Sequence, residues 1–176
     1  MFDEFLRARL EGLSLYNPSS ESMWYGPWIG ILTSLFPTSD GFFVTPQKVI
    51  LSRARQIPDF VMEVTRVKTP SNVVQAVLIV EIKNTLLWPS VIPRLDEHLR
   101  QQTDTSFEEG WAVDKMYWIA AVGPHWRYGM NDRQAVQPLS DWHDKIHDRN
   151  SYIDFQNLAS LVRQLMADVS MYLSAC

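Results

Sequence analysis

This chain is short of most features that mark the common functional classes. It has a single cysteine, Cys176, so no intrachain disulfide can form. A reducing, intracellular setting, cytoplasmic or nuclear, is the expectation. Its seven glycines are scattered, and no glycine-rich loop cradles a phosphate, which disfavours NTP or dinucleotide binding. No apolar run reaches the roughly 18 residues of a membrane span. Met1-Phe2-Asp3-Glu4-Phe5 carries early acids and no signal-peptide pattern. No serine sits in a nucleophile elbow, and Cys176 has no second cysteine beside it. Basic charge is not in excess: 16 Lys and Arg face 20 Asp and Glu, for a net charge of −4. That balance weighs against broad nonspecific affinity for nucleic acid. A local patch can still dominate one groove, and Arg53, Arg55, Arg66, Lys68 and Lys83 fall in one stretch of the chain.

Apolar material is plentiful. Hydrophobic residues make up 46% of the chain, including seven Trp and eight Phe. The 176 residues suit one domain, 1–176, with a substantial core. Phe2, Phe5, Leu6, Leu10 and Leu13 recur at helical spacing over residues 2–14. A second helix runs from a Ser19 or Ser20 cap through Trp24, Trp28, Ile31 and Leu35 to Pro37, with Pro27 kinking it or marking its start. Residues 42–51 read as a first strand, 57–67 as a second and 73–83 as a third. Pro89 opens a helix through Ile92, Leu95, His98 and Leu99 to about Phe107. Residues 115–122 and 125–130 read as two more strands, 132–150 as irregular, and 152–173 as an amphipathic helix. The expected class is α/β (α+β), a mixed sheet flanked by helices.

The second and third strands carry the chemistry. The run Ala76-Val77-Leu78-Ile79-Val80 reads as buried, yet it ends in Glu81-Ile82-Lys83. Side chains two apart in a strand share a face, so Glu81 and Lys83 point the same way. Burying a carboxylate and an ammonium is costly unless they have partners or a task. Lys68-Thr69-Pro70-Ser71-Asn72 is a turn by composition. A hairpin centred on Pro70 sets Asp59 opposite Glu81, within about 5 Å at Cβ. Two carboxylates so placed can share one hard cation. A slip of one residue would put them on opposite faces.

Pro58-Asp59, twenty-one intervening residues, and Glu81-Ile82-Lys83 resemble the signature of the PD-(D/E)XK nuclease superfamily. Trp24-Tyr25-Gly26-Pro27-Trp28, Ile57-Pro58-Asp59-Phe60 and Val80-Glu81-Ile82-Lys83 are similar to stretches of the small nuclease-like domains of basidiomycete fungi. The resemblance covers roughly residues 20–105. It implies a restriction-endonuclease-like αβββαβ core and metal-dependent hydrolysis of DNA or RNA. It also implies Mg²⁺ or Mn²⁺ held by Asp59, Glu81 and the Ile82 carbonyl, with Lys83 acting on the attacking water or on the phosphoryl oxygens. Many members supply a further acid from the preceding helix, for which Glu21 is the candidate and Glu11 the weaker one. Several branches place a glutamine on the following helix. Gln101, eighteen residues after Lys83, is the candidate, with Gln102 beside it. The Gln-x-x-x-Tyr form of that motif is not met, because Thr105 and Ser106 stand where its tyrosine belongs. Many members dimerise to cut two strands, so a homodimer is a further expectation.

Each of these residues has a plainer reading. Glu81 and Lys83 suit an ordinary strand-end pair, Glu21 an acid favoured by a helix N-terminus, and Gln101 a solvated helix face. His143-Asp144-Lys145-Ile146-His147 has the spacing of a two-histidine zinc motif, but no helical apolar stripe surrounds it. The alternative to an enzyme is a nuclease fold kept as an inactive module that binds protein or nucleic acid.

Overall fold

Among the described residues of the computed structural model, four α-helices and five strands follow one another along the chain. The structure describes residues 2–16, 18–46, 61–68, 73–83, 85–110, 112, 114–133 and 140–173. The order is α1 (Glu4–Tyr16), α2 (Ser22–Leu35), β1 (Phe42–Pro46), β2 (Val61–Lys68), β3 (Val73–Lys83), α3 (Ile92–Glu108), β4 (Lys115–Val122), β5 (His125–Asp132) and α4 (Arg149–Leu173). The five strands form one mixed sheet in the order β1-β2-β3-β4-β5. β3 and β4 are parallel, and the other neighbouring pairs are antiparallel. α3 makes the crossover that a parallel pair requires.

Alternation along the strands divides the interior into two cores. Val80 and Ile82 of β3, with Tyr117, Ile119 and Ala121 of β4, face α1, α2 and α4. Ile79 of β3, with Met116, Trp118, Ala120 and Val122 of β4, faces α3. Both central strands are buried on both sides, which is why they read as continuous apolar runs. The aromatic weight sits in the first core. Trp126 stacks on Phe155 at 3.9 Å between ring centroids, and Trp28 meets both edge-on.

Some boundaries differ from the sequence reading. Pro27 neither starts nor ends α2; it lies within the helix and is buried. The N-cap position of α2 falls on Glu21 rather than on Ser19 or Ser20, no side chain makes a cap hydrogen bond there, and the Ser20 hydroxyl pairs with that of Ser22. α3 begins at Ile92 with Pro93 in its first turn, so Pro89 belongs to the preceding turn. Gly123 closes β4 at φ +61°, and a Cβ there would lie 2.3 Å from the Thr85 hydroxyl. Glycine is therefore required at that turn on two counts.

The hairpin register is displaced. Val61, not the residue at 59, pairs with Glu81, and Glu63 pairs with Ile79. One residue of the displacement arises at the turn, where Lys68 pairs with Val73. The second arises at a β-bulge, where Val64 pairs with Leu78 but Thr65 pairs with Ala76. The extra residue turns Val77 and Leu78 toward the same core. Either step alone would exchange the faces; together they restore odd-with-odd pairing at the Glu81 end.

Tyr117 and Tyr128 border the first core, and burial raises both phenols above the ordinary value of 10.0. Tyr128 adds to the effect at Tyr117, and Asp154 adds to it at Tyr128. A group whose folded pKa is raised contributes stability that is complete below its unfolded pKa and lost as pH climbs through the folded one. For these phenols, stability should be unchanged from pH 7 to 9 and decline above about 10. Urea unfolding across that range should show a shallower decline in Tyr128→Phe. Equal slopes for the two proteins would refute the assignment.

Candidate functional site

β3 and β4 end side by side, with Lys83 level with Val122. In open α/β sheets, ligands gather at the carboxyl ends of such parallel strands. There β3 turns Glu81 and Lys83 toward α3, across the sheet from the larger core. Their side chains are 0% and 3% exposed, and the Lys83 Nζ lies 2.9 Å from Glu81 Oε1. α3 supplies the remaining neighbours. His98 Nδ1 is 3.1 Å from the same Oε1, and Gln102 Nε2 donates to Oε2 at 3.5 Å. A carboxylate oxygen only accepts, so in this arrangement His98 carries its proton on Nδ1. His98 is 18% exposed and forms the solvent-facing edge of the group.

Helical spacing explains why these two side chains arrive together. Leu95, Leu99, Gln102, Ser106 and Phe107 form the buried stripe of α3. His98 and Gln102 are four apart, one above the other on that stripe. Further polar contacts hold α3 to the sheet: Arg127 of β5 donates to Asp96, and Asn131 donates to the Thr103 hydroxyl. The Arg127 guanidinium also lies 4.8 Å from the Trp142 ring centroid.

The residues singled out from sequence separate as follows. Glu81 and Lys83 meet. Asp59, and Pro58 before it, lie outside the described residues. Ile82 buries its side chain in the opposite core, and its position is one beyond the last described pairing of β2 with β3. Gln101 is a correction: it is exposed and donates to Glu97 at 3.2 Å, whereas Gln102 faces Glu81. One position around a helix is about 100°, enough to turn a side chain from core to solvent. Glu21 precedes α2, which packs on the other face of the sheet, and its carboxylate accepts from the Tyr25 hydroxyl. Glu11 is on α1 and pairs with Arg7 at 3.3 Å. The two histidines of the 143–147 motif go to different partners. His143 Nε2 is 3.4 Å from Asp154, and His147 Nδ1 is 3.1 Å from the Ser14 hydroxyl.

His98 is the site residue that the motif reading missed. Its signal was a titratable ring on the apolar stripe of α3, between Leu95 and Leu99. As donors for a hard divalent cation, the described residues offer the Glu81 carboxylate and the Gln102 amide oxygen. The latter is buried and has no hydrogen-bond partner. Both are oxygen donors of the type such cations take. Among the described residues, no three of His, Cys, Asp or Glu gather into a metal cluster. Also among the described residues, no helix is long and apolar enough to cross a membrane. Comparison with protein-family models, with curated proteins and with solved structures gives no match for this chain.

Proposed function

We propose that the chain is a metal-dependent nuclease that hydrolyses phosphodiester bonds of DNA or RNA at the Glu81–Lys83 end of β3. The observation that carries this reading is the Lys83 ammonium on the Glu81 carboxylate at 2.9 Å, at the end of a parallel strand pair and under a helix that adds His98 and Gln102. The order α2-β1-β2-β3-α3-β4 follows the αβββαβ pattern of the PD-(D/E)XK superfamily, which supports it further.

Glu81, Asp59 and the Ile82 carbonyl would hold Mg²⁺ or Mn²⁺. When bound, the cation polarises the scissile phosphate and lowers the pKa of a water. Lys83 has three donors. It can keep one on Glu81 and aim another at the attacking water or at charge developing on the phosphoryl oxygens. Gln102, tied to Glu81, orients that carboxylate. Nucleic acid is the proposed partner, an intracellular compartment the proposed location, and a homodimer the arrangement that would address two strands.

The full burial and mutual compensation of Glu81 and Lys83 favour a second reading, an inactive fold serving as an interaction module. One experiment separates the two. Purified protein is incubated with plasmid DNA, single-stranded DNA and RNA in Mg²⁺ and in Mn²⁺, beside Glu81→Gln and Lys83→Arg. Cleavage that falls by at least about a thousandfold in both variants, with far-UV circular dichroism unchanged, is the outcome the enzyme requires. Cleavage of no substrate, or cleavage that survives Glu81→Gln, leaves the module.

A further inference from the structure

We propose that the solvent-facing stripe of α1 is the contact through which two copies of this chain pair. It gives the homodimer a surface and stands apart from the cleavage reading. α1 is apolar on two sides. Phe2, Leu10 and Leu13 are buried in the first core, with Leu6 packed against them. On the other side, Phe5, Ala8, Gly12, Leu15 and Tyr16 fall within about 100° of one another around the helix. Phe5 is 87% exposed, and Leu15 and Tyr16 are each 86% exposed. Single exposed apolar side chains are ordinary, but a contiguous stripe of them marks an interaction surface. Glu4, Arg7, Arg9 and Glu11 flank the stripe, and none of them interrupts it.

Symmetry, size and charge together favour a second copy as the occupant. Phe5, Ala8, Gly12 and Leu15 follow one another at spacings of three, four and three. Bulky, small, small, bulky reads the same in either direction, and a two-fold contact must be self-complementary. Antiparallel pairing of α1 with itself sets Phe5 against Leu15 of the second copy and Ala8 against Gly12, so the helices cross where the side chains are smallest. Gly12 is a poor helix former inside α1. Beyond its own helix backbone, nothing lies within 4 Å of where its Cβ would stand. Close approach by a second helix gives that glycine a reason. Phe5, Leu15 and Tyr16 offer roughly 400 Å² from each copy. With Ala8, Gly12 and the flanking stems, two copies bury about 1,000 Å² in all, the least that a specific interface needs. In this arrangement Tyr16 of the second copy reaches the groove between α1 and α2, which Phe5, Arg9, Met23 and Pro27 help to line. The flanks hold two acids and two bases, whereas a helix lying on a membrane is rich in Lys and Arg. α1 packs on the sheet face away from Glu81, so pairing leaves the Glu81 end of each copy uncovered.

The test is sedimentation equilibrium of the full chain in EDTA, from about 1 to 200 μM, a range suited to an interface of this size. The native chain should dimerise with a Kd below about 100 μM. Gly12→Gln and Leu15→Asn should each weaken pairing by about tenfold or more, with far-UV circular dichroism unchanged. Val74→Thr alters an exposed apolar residue off the stripe and should leave Kd within about twofold. Orientation is read in a Cys176→Ser background under oxidised glutathione. A chain with Ala8→Cys mixed with a chain with Gly12→Cys should give more disulfide-linked dimer than either alone, and equal yields would overturn antiparallel pairing. A monomer at every concentration, or a dimer indifferent to both α1 variants, overturns the proposal. So does a monomer that binds phosphatidylserine vesicles through Phe5, which would assign the stripe to a lipid surface. Cleavage is scored apart. A dimer that cuts no nucleic acid keeps this inference and loses the nuclease reading, and an active monomer does the reverse.

Discussion

Lys83→Met should lower folding stability by about 3–5 kcal/mol, because it strands a buried carboxylate. The Glu81 side chain is 0% exposed and Lys83 is 3% exposed, so water replaces little of what the ammonium provides. His98 and Gln102 remain as donors to Glu81, but neither need carry a full charge. The expected fall in Tm is about 6–20 °C for a chain of this size. Glu81→Gln combined with Lys83→Met should recover more than half of the loss, since a buried polar–apolar pair lacks the stranded charge. The resulting coupling, read from urea unfolding of the four proteins, should exceed about 2 kcal/mol. A coupling below about 0.5 kcal/mol would mean that the two groups do not depend on each other. The cycle also bears on function. The pair is expensive to keep, and a stable double variant without cleavage activity would be the pattern of a site maintained for chemistry.

Trp126→Ala should cost a comparable amount, about 3–5 kcal/mol, for a different reason. Trp126, on β5, is fully buried against α4. It stacks on Phe155 with ring planes 9° apart, and its indole N–H donates to the Ser151 hydroxyl at 2.9 Å. Its backbone also bridges to His143, which ties residues 140–148 to the sheet edge. Truncation opens a cavity at the junction of α2, α4 and the sheet, and leaves Ser151 with one partner fewer. Trp126→Phe separates the two contributions. It keeps a ring against Phe155 and loses the hydrogen bond, for about 1–2 kcal/mol. Equilibrium unfolding of both variants checks the order. Equal losses for Ala and Phe would show that the hydrogen bond, not the packing, dominates.

Much of the layout was legible from local pattern. The third and fourth strands emerged at 73–83 and 115–122, because a run buried on both faces is apolar throughout and stops where turn residues begin. The amphipathic helices were legible for the same reason, apart from shifts of a few residues at their ends. Glu81 and Lys83 stood out because charge at the end of an apolar strand is costly. Pairing was harder. A hairpin centred by composition on Pro70 carried no signal of the bulge opposite Val64 and Thr65, since nothing in Ala76-Val77-Leu78 marks which residue goes unpaired. The choice between Gln101 and Gln102 also depended on helix phase, which adjacent glutamines leave open.

The amino-acid sequence by itself determined the class of the fold, the two strands buried on both faces, and a carboxylate and an amine on one side of β3. Those follow from periodicity and from the cost of dehydrating charge, which act within a few residues. Only the tertiary structure decided that α3, not α2, covers Glu81, that His98 and Gln102 are its neighbours, and that Val61 stands across from it. Those depend on which surfaces pack together and on where a bulge falls in the β2–β3 pairing. Such long-range choices are made by the whole interior at once, and no short stretch of residues spells them out.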